Sequence, residues 1–231
     1  MVGIDITKPR QPIASFIEAD LSSQTKIREL VGKLPANVDA LCNVAGISGK
    51  AGAAKTLAVN FYGLRMLSEL IAPRIRRGGA VVNVASIAGF GWRANLERAK
   101  ALADIDGMPD TSGVATNYGI KDEECYPVSK EVLLVWSIRA AQHPRFKDRG
   151  IRVNAVSPGP VETPILAEFR QVLGDERVDS DIGRVGRAGT PPDIAPVILF
   201  LCSDGARWIN GANLPVDGGL EASVNAEVLG F

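Results

Sequence analysis

Residues 79–86 read GAVVNVAS, a run that lacks the alternation of polar and apolar residues expected of a half-exposed strand. Three other runs of this kind each end in glycine: VDALCNVAG at 38–46, IRVNAVSPG at 151–159 and ANLPVDGG at 212–219. Strands that are apolar on both faces are typical of parallel sheets covered by helices on both sides. We therefore expect these four segments to form a buried parallel sheet.

Helical periodicity fills the segments between these runs. Residues 60–77 and 126–142 each place apolar side chains on one stripe, and the prolines at 191 and 192 fit the first turn of a third helix. The alternation of strand and helix predicts an α/β fold with a doubly wound parallel sheet. No repeat or linker interrupts it, so we expect a single domain over residues 1–231.

Composition excludes several classes of protein. Lys and Arg together number 26, as do Asp and Glu, which argues against nucleic-acid or membrane-surface partners. Apolar stretches such as 194–202 are too short to span a bilayer. The three cysteines form no CxxC pair and predict reduced thiols in a cytoplasmic protein. The single histidine, His143, precedes Pro144, so we interpret it as a cap at a helix end and expect no metal site.

Four residues are candidates for catalysis. Tyr126 and Lys130 are one helical turn apart, and a nearby ammonium is expected to lower the pKa of a phenol, which could then act as a general acid or base. The alternative is an exposed pair without a role. Ser86 ends a predicted strand; Asn60 begins a predicted helix, and alternatively only caps it. Ligands of open α/β sheets bind at the carboxyl ends of strands, where these groups lie.

Taken together, these motifs resemble the short-chain dehydrogenase/reductase family. Asn60, Ser86, Tyr126 and Lys130 match its Asn-Ser-Tyr-Lys tetrad, and CNVAG at 42–46 resembles its NNAG motif, with Val44 in place of the second asparagine. The resemblance implies a Rossmann-like fold and hydride transfer with NAD, NADP being disfavoured. It also implies a set of cofactor-binding residues: Asp5, Asp20, Leu21, Asn43, Ala45, Gly46, Tyr126, Lys130, Pro158, Gly159, Val161 and Thr163.

The resemblance also implies individual roles. Tyr126 would move the proton, Lys130 would lower its pKa and hold the nicotinamide ribose, and Ser86 would orient the substrate oxygen. Asn60 would organise a water, and Thr163 would hold the nicotinamide carboxamide. Asp20 would meet the adenine amino group. Asp5 would accept hydrogen bonds from the ribose and repel a 2′-phosphate, which favours NAD; alternatively it only makes an edge strand soluble.

In the family a first strand and a TGxxxGxG loop precede the ribose-binding acid, whereas only four residues precede Asp5. The glycines of residues 45–55 follow a different strand, and we expect them to form a loop. We therefore expect an N-terminally truncated domain whose first strand and first helix are missing, the working protein carrying roughly 25 more residues. The missing strand would lie between the strands at 2–6 and 39–45.

The spacing of Ser86 and Tyr126, 40 residues, exceeds the dozen or so usual in the family. It resembles a bacterial subgroup that acts on aryl alcohols and 3α-hydroxysteroids. The insert at 87–125 should form an extra helix or two, either at the lip of the cleft or over the family's usual interface, which favours a dimer over a tetramer. Residues 160–189 should form an apolar lid over a small apolar alcohol or ketone; alternatively, their helix packs permanently into the core.

Two readings from other classes remain. The chain could be a non-catalytic binding or regulatory protein on a dehydrogenase scaffold, since a fold does not determine function. A hydrolase built on Ser86 is disfavoured, because no GxSxG motif surrounds this serine and His143 is the only histidine.

Overall fold

The computed structural model describes residues 1–9 and 12–231 as a layered α/β domain. The strands in these residues are β1 (Val2–Asp5), β2 (Ser15–Glu18), β3 (Val38–Asn43), β4 (Ile75–Val84), β5 (Arg152–Pro158) and β6 (Asn213–Val216). The α-helices are α1 (Gln24–Lys33), α2 (Ala53–Leu57), α3 (Leu64–Ile71), α4 (Leu96–Ala103), α5 (Thr111–Asn117), α6 (Cys125–Ala140), α7 (Pro144–Lys147), α8 (Pro164–Leu173), α9 (Asp175–Val185), α10 (Pro191–Cys202) and α11 (Leu220–Leu229).

The larger sheet is parallel throughout and has the order β3-β4-β5-β6. Its two central strands are apolar on both faces because each face meets helices. Val81 and Ala155 belong to the core that includes α3 and α6, whereas Val82 and Val156 pack with α10 on the opposite side. The continuous apolar runs therefore correspond to buried parallel strands, and the predicted α/β class is confirmed.

A second, two-stranded parallel sheet pairs β1 with β2, Val2 lying opposite Ser15 and Asp5 opposite Glu18. Among the described residues it forms no ladder with the larger sheet. As a result, the outer edge of β3 is open, and Asp39 and Cys42 are exposed there.

The helix predicted at residues 60–77 begins and ends at other residues in the structure. The helix begins at Ala53 rather than Asn60, and it continues through a π-helical turn, Ala58–Gly63, into α3. It ends before residue 77, because Pro73 cannot continue an α-helix and a 3₁₀ turn, Ala72–Arg74, leads directly into β4. The strand takes up the extra residues around Gly78 by a register shift against β3, between Val38 and Ala40.

The insert at 87–125 contains a 3₁₀ segment, Ile87–Arg93, followed by α4 and α5, as the sequence predicts. The insert packs against α3 and α6. Arg65 of α3 donates hydrogen bonds to the carbonyls of Ala103 (3.0 Å) and Ile105 (2.6 Å). Helix α6 is buried on nearly all sides, since α4 and the 3₁₀ segment pack against it.

In the part of the chain that the structure describes, no helix has both the length and the hydrophobicity needed to cross a membrane.

Candidate active site

A cleft of about 930 Å³ opens at the carboxyl ends of β3, β4 and β5. Most of its wall is apolar. Eight of the residues predicted from the sequence line it together: Gly46, Ser86, Tyr126, Lys130, Pro158, Gly159, Val161 and Thr163. The sheet brings them to one place because parallel strands end at a common edge.

Ser86 lies just beyond β4, where the chain turns into the 3₁₀ segment. Its Oγ accepts a hydrogen bond from the amide of Ala88 at 3.1 Å, so the serine caps the segment and its side chain is oriented. The hydroxyl also lies near the phenol of Tyr126, and its influence favours the phenolate. Ser86 can thus meet the same substrate atom as Tyr126.

Tyr126 and Lys130 lie on the face of α6 that borders the cleft, and both are buried. The Lys130 Nζ is 5.6 Å from the centre of the Tyr126 ring and donates a hydrogen bond to the carbonyl of Val84 at 2.9 Å. Tyr126 and Lys130 are therefore neighbours, as the sequence predicts. The hydrogen bond from Lys130 to β4 was not predicted. No local sequence signal points to this carbonyl, because it depends on the packing of α6 against the sheet.

The expected lowering of the Tyr126 pKa is wrong for this structure. Burial raises the pKa of Tyr126 to about 12, and the nearby Ser86 hydroxyl opposes this only in part. Burial likewise lowers the pKa of Lys130 to about 8. Both shifts disfavour the charged forms, as expected for groups withdrawn from water into an apolar wall.

Asn60 is fully buried within the π-helical turn and does not cap a helix, so the capping alternative is wrong. Its side chain accepts a hydrogen bond from the amide of Ile47 (2.8 Å) and donates to the carbonyl of the same residue (3.0 Å) and to Ser129 Oγ (3.1 Å). Ser129 in turn donates to the carbonyl of Tyr126 at 2.7 Å. Asn60 therefore joins the loop after β3 to the first turn of α6. It does so from a π-helical turn, a feature that is frequent at functional sites.

The remaining predicted cofactor residues do not line this cleft. Asp5 is exposed at the end of β1, where its Oδ1 accepts a hydrogen bond from the Thr7 amide at 2.9 Å. Leu21 and Ala45 also lie outside the cleft lining. Asn43 points inward: its Nδ2 donates to Ser68 Oγ and to Asn83 Oδ1, each at 2.8 Å. Any ligand contact of Asn43 would have to come from its backbone.

Asp20 accepts hydrogen bonds from Ser22 and forms an ion pair with Lys55, Nζ to Oδ2 being 3.1 Å. Burial alone would raise the pKa of Asp20, but the hydrogen bonds from Ser22 and Lys55 and the positive charge of Lys55 lower it overall. The carboxylate is thus ionised and already partnered.

The residues around Lys130 fit the nicotinamide end of a dinucleotide. The buried ammonium has three N–H donors, and within the described residues Val84 is its one hydrogen-bond acceptor. A Cβ atom on Gly46 would lie 3.3 Å from Asn60 Oδ1 and 3.7 Å from Lys130 Nζ, so a larger residue would fill this space. Lys130 and Gly46, with residues 158–163 opposite, would hold the ribose and the nicotinamide.

Helices α8 and α9, the segment predicted to be a lid, line one side of the cleft. The Phe169 ring meets the Tyr126 ring edge to face, with centroids 4.7 Å apart. Two polar contacts, not predicted from the sequence, hold α8 to the loop after β3: Ser48 Oγ to Glu168 Oε2 at 2.5 Å and Lys50 Nζ to Gln171 Oε1 at 2.8 Å. No side chain of α8 is fully buried. That this helix opens and closes over a substrate stays a prediction.

The two ends of the segment that contains α8 and α9 lie next to each other. The amide of Glu162 donates to the carbonyl of Gly189 (2.8 Å), and the amide of Gly189 donates to the carbonyl of Pro160 (2.9 Å). These two bonds join the ends of the lid, and Gly186, with φ of 83°, ends α9 beside them.

Across residues 1–9 and 12–231 no group of three His, Cys, Asp or Glu side chains could hold a metal ion. His143 caps a helix, but at the beginning of α7 rather than at the end of the preceding helix as the sequence analysis expects; its Nδ1 accepts a hydrogen bond from the Arg145 amide at 3.2 Å.

Comparison with known proteins assigns the chain to a family. A short chain dehydrogenase model matches residues 5–97, and an enoyl-(acyl carrier protein) reductase model matches residues 110–221. Coniferyl-alcohol dehydrogenase from Pseudomonas sp. strain HR199 is 40% identical over 223 residues, which cover 96% of this chain and 87% of that protein. The 3-alpha-hydroxysteroid dehydrogenase/carbonyl reductase of Comamonas testosteroni is 28% identical, with the same coverage of 96% and 87%.

Among solved structures, the 3-alpha-hydroxysteroid dehydrogenase of Pseudomonas sp. B-0831 in complex with NADH superposes with a TM-score of 0.79 at 27% identity, covering 98% of this chain and 89% of that one. The fold, the cleft and these matches agree, and the chain belongs to the short-chain dehydrogenase/reductase family of oxidoreductases.

Proposed function

We propose that this protein is an NAD-dependent dehydrogenase that interconverts a flat apolar alcohol and its carbonyl compound. The observation that carries the proposal is the cluster of partly buried Ser86 with buried Tyr126 and Lys130 in a largely apolar cleft that α8 borders. A bound nicotinamide dinucleotide would supply or accept the hydride.

The chain's own residues would handle the oxygen and its proton. Ser86 donates a hydrogen bond to the substrate oxygen and orients it beside the phenol. Tyr126 takes the proton from the alcohol or gives it to the carbonyl. Lys130, as a cation, stabilises the phenolate and donates to the ribose hydroxyls with its remaining N–H bonds. Asn60 keeps the loop that carries Gly46 in register with α6.

An aryl allylic alcohol is the favoured substrate class. Phe169 presents an aromatic ring directly over Tyr126, and Val161, Leu166 and Ile198 continue the apolar wall. A planar aromatic body would pack against these side chains and exclude water, while its hydroxyl reached Ser86 and Tyr126. The 40% identity to coniferyl-alcohol dehydrogenase supports this class over the hydroxysteroids of the more distant relatives.

Cofactor choice, location and assembly belong to the same proposal. Asp5 lies at the end of β1, where its carboxylate would bond a 2′-hydroxyl and repel a 2′-phosphate, favouring NAD. The unpaired thiols suit the cytoplasm. The insert buries much of α6 within the chain itself, so association through this helix is restricted and a dimer is expected rather than a tetramer.

The test is turnover with NAD of coniferyl alcohol, a 3α-hydroxysteroid and a small polyol, followed through NADH absorbance. Tyr126→Phe should lower kcat by about 10²–10⁴-fold and leave NADH binding largely intact. Tyr118→Phe is the matched control, because Tyr118 lies on the insert and is partly exposed.

Near-normal turnover by Tyr126→Phe would remove this residue from the mechanism. Faster turnover of the polyol than of either apolar alcohol would overturn the substrate class. Binding of NADH without turnover of any substrate would favour the non-catalytic alternative.

A further inference from the structure

Two cysteines that are distant in sequence meet at the open edge of the larger sheet. Cys42 lies on β3 and Cys202 is the last residue of α10, 160 positions later, yet their Sγ atoms are 3.5 Å apart. Cys42 is exposed and Cys202 is partly exposed. Cys42 lines the same cleft as Ser86, Tyr126 and Lys130, whereas Cys202 does not, and the proposed function uses neither thiol.

A cation flanks one of the two thiols. The Arg152 guanidinium donates hydrogen bonds to the carbonyls of Leu201 (2.8 Å) and Ser203 (3.1 Å), the residues on either side of Cys202. The hydrogen bond from Cys42 and the positive charge of Arg152 lower the pKa of Cys202 despite its partial burial. The same hydrogen bond raises the pKa of Cys42. Of the two thiols, Cys202 is therefore the one whose thiolate form the surroundings favour.

The backbones that carry the two cysteines are held together independently of the sulfur atoms. Arg76 of β4 bridges Asp39 on β3 (3.1 Å) and Asp204, two residues after Cys202 (3.8 Å). Cys202 itself packs with Ile198 and Val82 in the core on this face of the sheet. Closing the sulfurs to bonding distance, about 2.05 Å, thus calls for small side-chain rotations rather than a movement of α10.

We propose that Cys42 and Cys202 form an oxidant-sensitive site that hydrogen peroxide converts to a reversible intramolecular disulfide. The Cys202 thiolate attacks one peroxide oxygen, the O–O bond breaks, and hydroxide leaves, so that Cys202 becomes a sulfenic acid. The Cys42 sulfur then attacks the Cys202 sulfur while its proton is released. The S–S bond forms, the S–O bond breaks, and hydroxide leaves. With the two thiol protons, two waters form; the thiols lose two electrons and the peroxide gains them.

The cross-link would join the carboxyl end of α10 to the edge strand β3. Ile194 and Ile198 of the same helix line the cleft, so the oxidised protein would have one wall of the cleft held to the sheet covalently. Cys125 is excluded from this chemistry, since it is fully buried and its Sγ lies 3.1 Å from the carbonyl of Asp122.

The experiment counts free thiols in denaturant after the folded protein has been treated with hydrogen peroxide. The wild type should fall from three thiols to one, and dithiothreitol should restore all three. Peptide mass spectrometry should find the peptides that contain residues 42 and 202 joined. Cys125→Ser, the matched control, should fall from two thiols to none, whereas Cys42→Ser and Cys202→Ser should form no intramolecular disulfide.

Retention of all three thiols by the folded wild type would overturn the proposal. So would a dimer cross-linked through Cys42 on a non-reducing gel, or oxidation of Cys202 to sulfinic acid without the cross-link. None of these readouts requires turnover, so failure here is distinguishable from failure of the proposed dehydrogenase function.

Discussion

Replacing Lys130 with Met should stabilise the folded protein at neutral pH while abolishing dehydrogenase activity. Burial lowers the pKa of Lys130 from 10.5 to about 8. Since one pKa unit corresponds to about 1.4 kcal/mol, keeping this ammonium charged in the folded state costs about 3 kcal/mol. Met keeps much of the side-chain volume and removes the charge. Loss of the hydrogen bond to the Val84 carbonyl destabilises the variant by about 1 kcal/mol. The expected net increase in the free energy of unfolding is therefore about 2 kcal/mol.

The sign of the pH dependence follows from the lowered pKa in the folded state. Below about pH 8 Lys130 is protonated in both the folded and the unfolded protein, so the full free-energy cost of burying its ammonium is present. Between pH 8 and 10.5 the unfolded chain binds more protons than the folded one, so wild-type stability rises with pH. The advantage of Lys130→Met should therefore be largest at neutral pH and should shrink as the pH approaches 10.5.

Urea unfolding of the wild type and the variant at a series of pH values measures this difference. Lys33→Met is the matched control, because Lys33 is exposed near the end of α1 and its replacement should change the free energy of unfolding by no more than about 0.5 kcal/mol. A Lys130→Met variant that is less stable than the wild type at pH 7, or a difference that does not vary with pH, would refute the reasoning.

Three other predictions follow from the same structure. Because burial raises the pKa of Tyr126 to about 12, alcohol oxidation should rise with pH across the neutral and alkaline range, and a rate that falls from pH 7 to 9 would contradict this. Asp5→Ala should narrow the preference for NAD over NADP, measured as a ratio of kcat/KM values; an unchanged ratio would mean that Asp5 does not meet the ribose. Gly63→Ala should destabilise the protein by more than about 3 kcal/mol in urea unfolding, since its Cβ would lie 1.8 Å from the Leu21 carbonyl oxygen. Stability near that of the wild type would show that the backbone around Leu21 can move away from residue 63.

Much of the fold could be predicted from the sequence, because the signals involved are local. The four apolar runs correspond to β3, β4, β5 and β6, and the capping box of Thr190 and Asp193 begins α10 where the prolines indicate. The start of β4 was misplaced because the strand passes through Gly78 and Gly79, residues that usually mark a turn. The bounds of helix α6 were easier to predict, since its apolar run is long and its one proline lies in the first turn; the helix is buried on nearly all sides rather than along one stripe.

The sequence by itself determined which chemical groups the site contains and the distance along the chain between them: Ser86, the Tyr126–Lys130 pair one turn apart, and a long insert between them. Only the tertiary structure decided how these groups behave. Burial, which depends on every element packed around α6, raises the pKa of Tyr126 and lowers that of Lys130. The partners of Asn60, the contact of Ser48 with Glu168, and the meeting of Cys42 with Cys202 join segments far apart in the chain. Spacing along a sequence specifies which residues share a helix face or a strand, whereas contacts between elements follow from how the whole sheet and its helices pack.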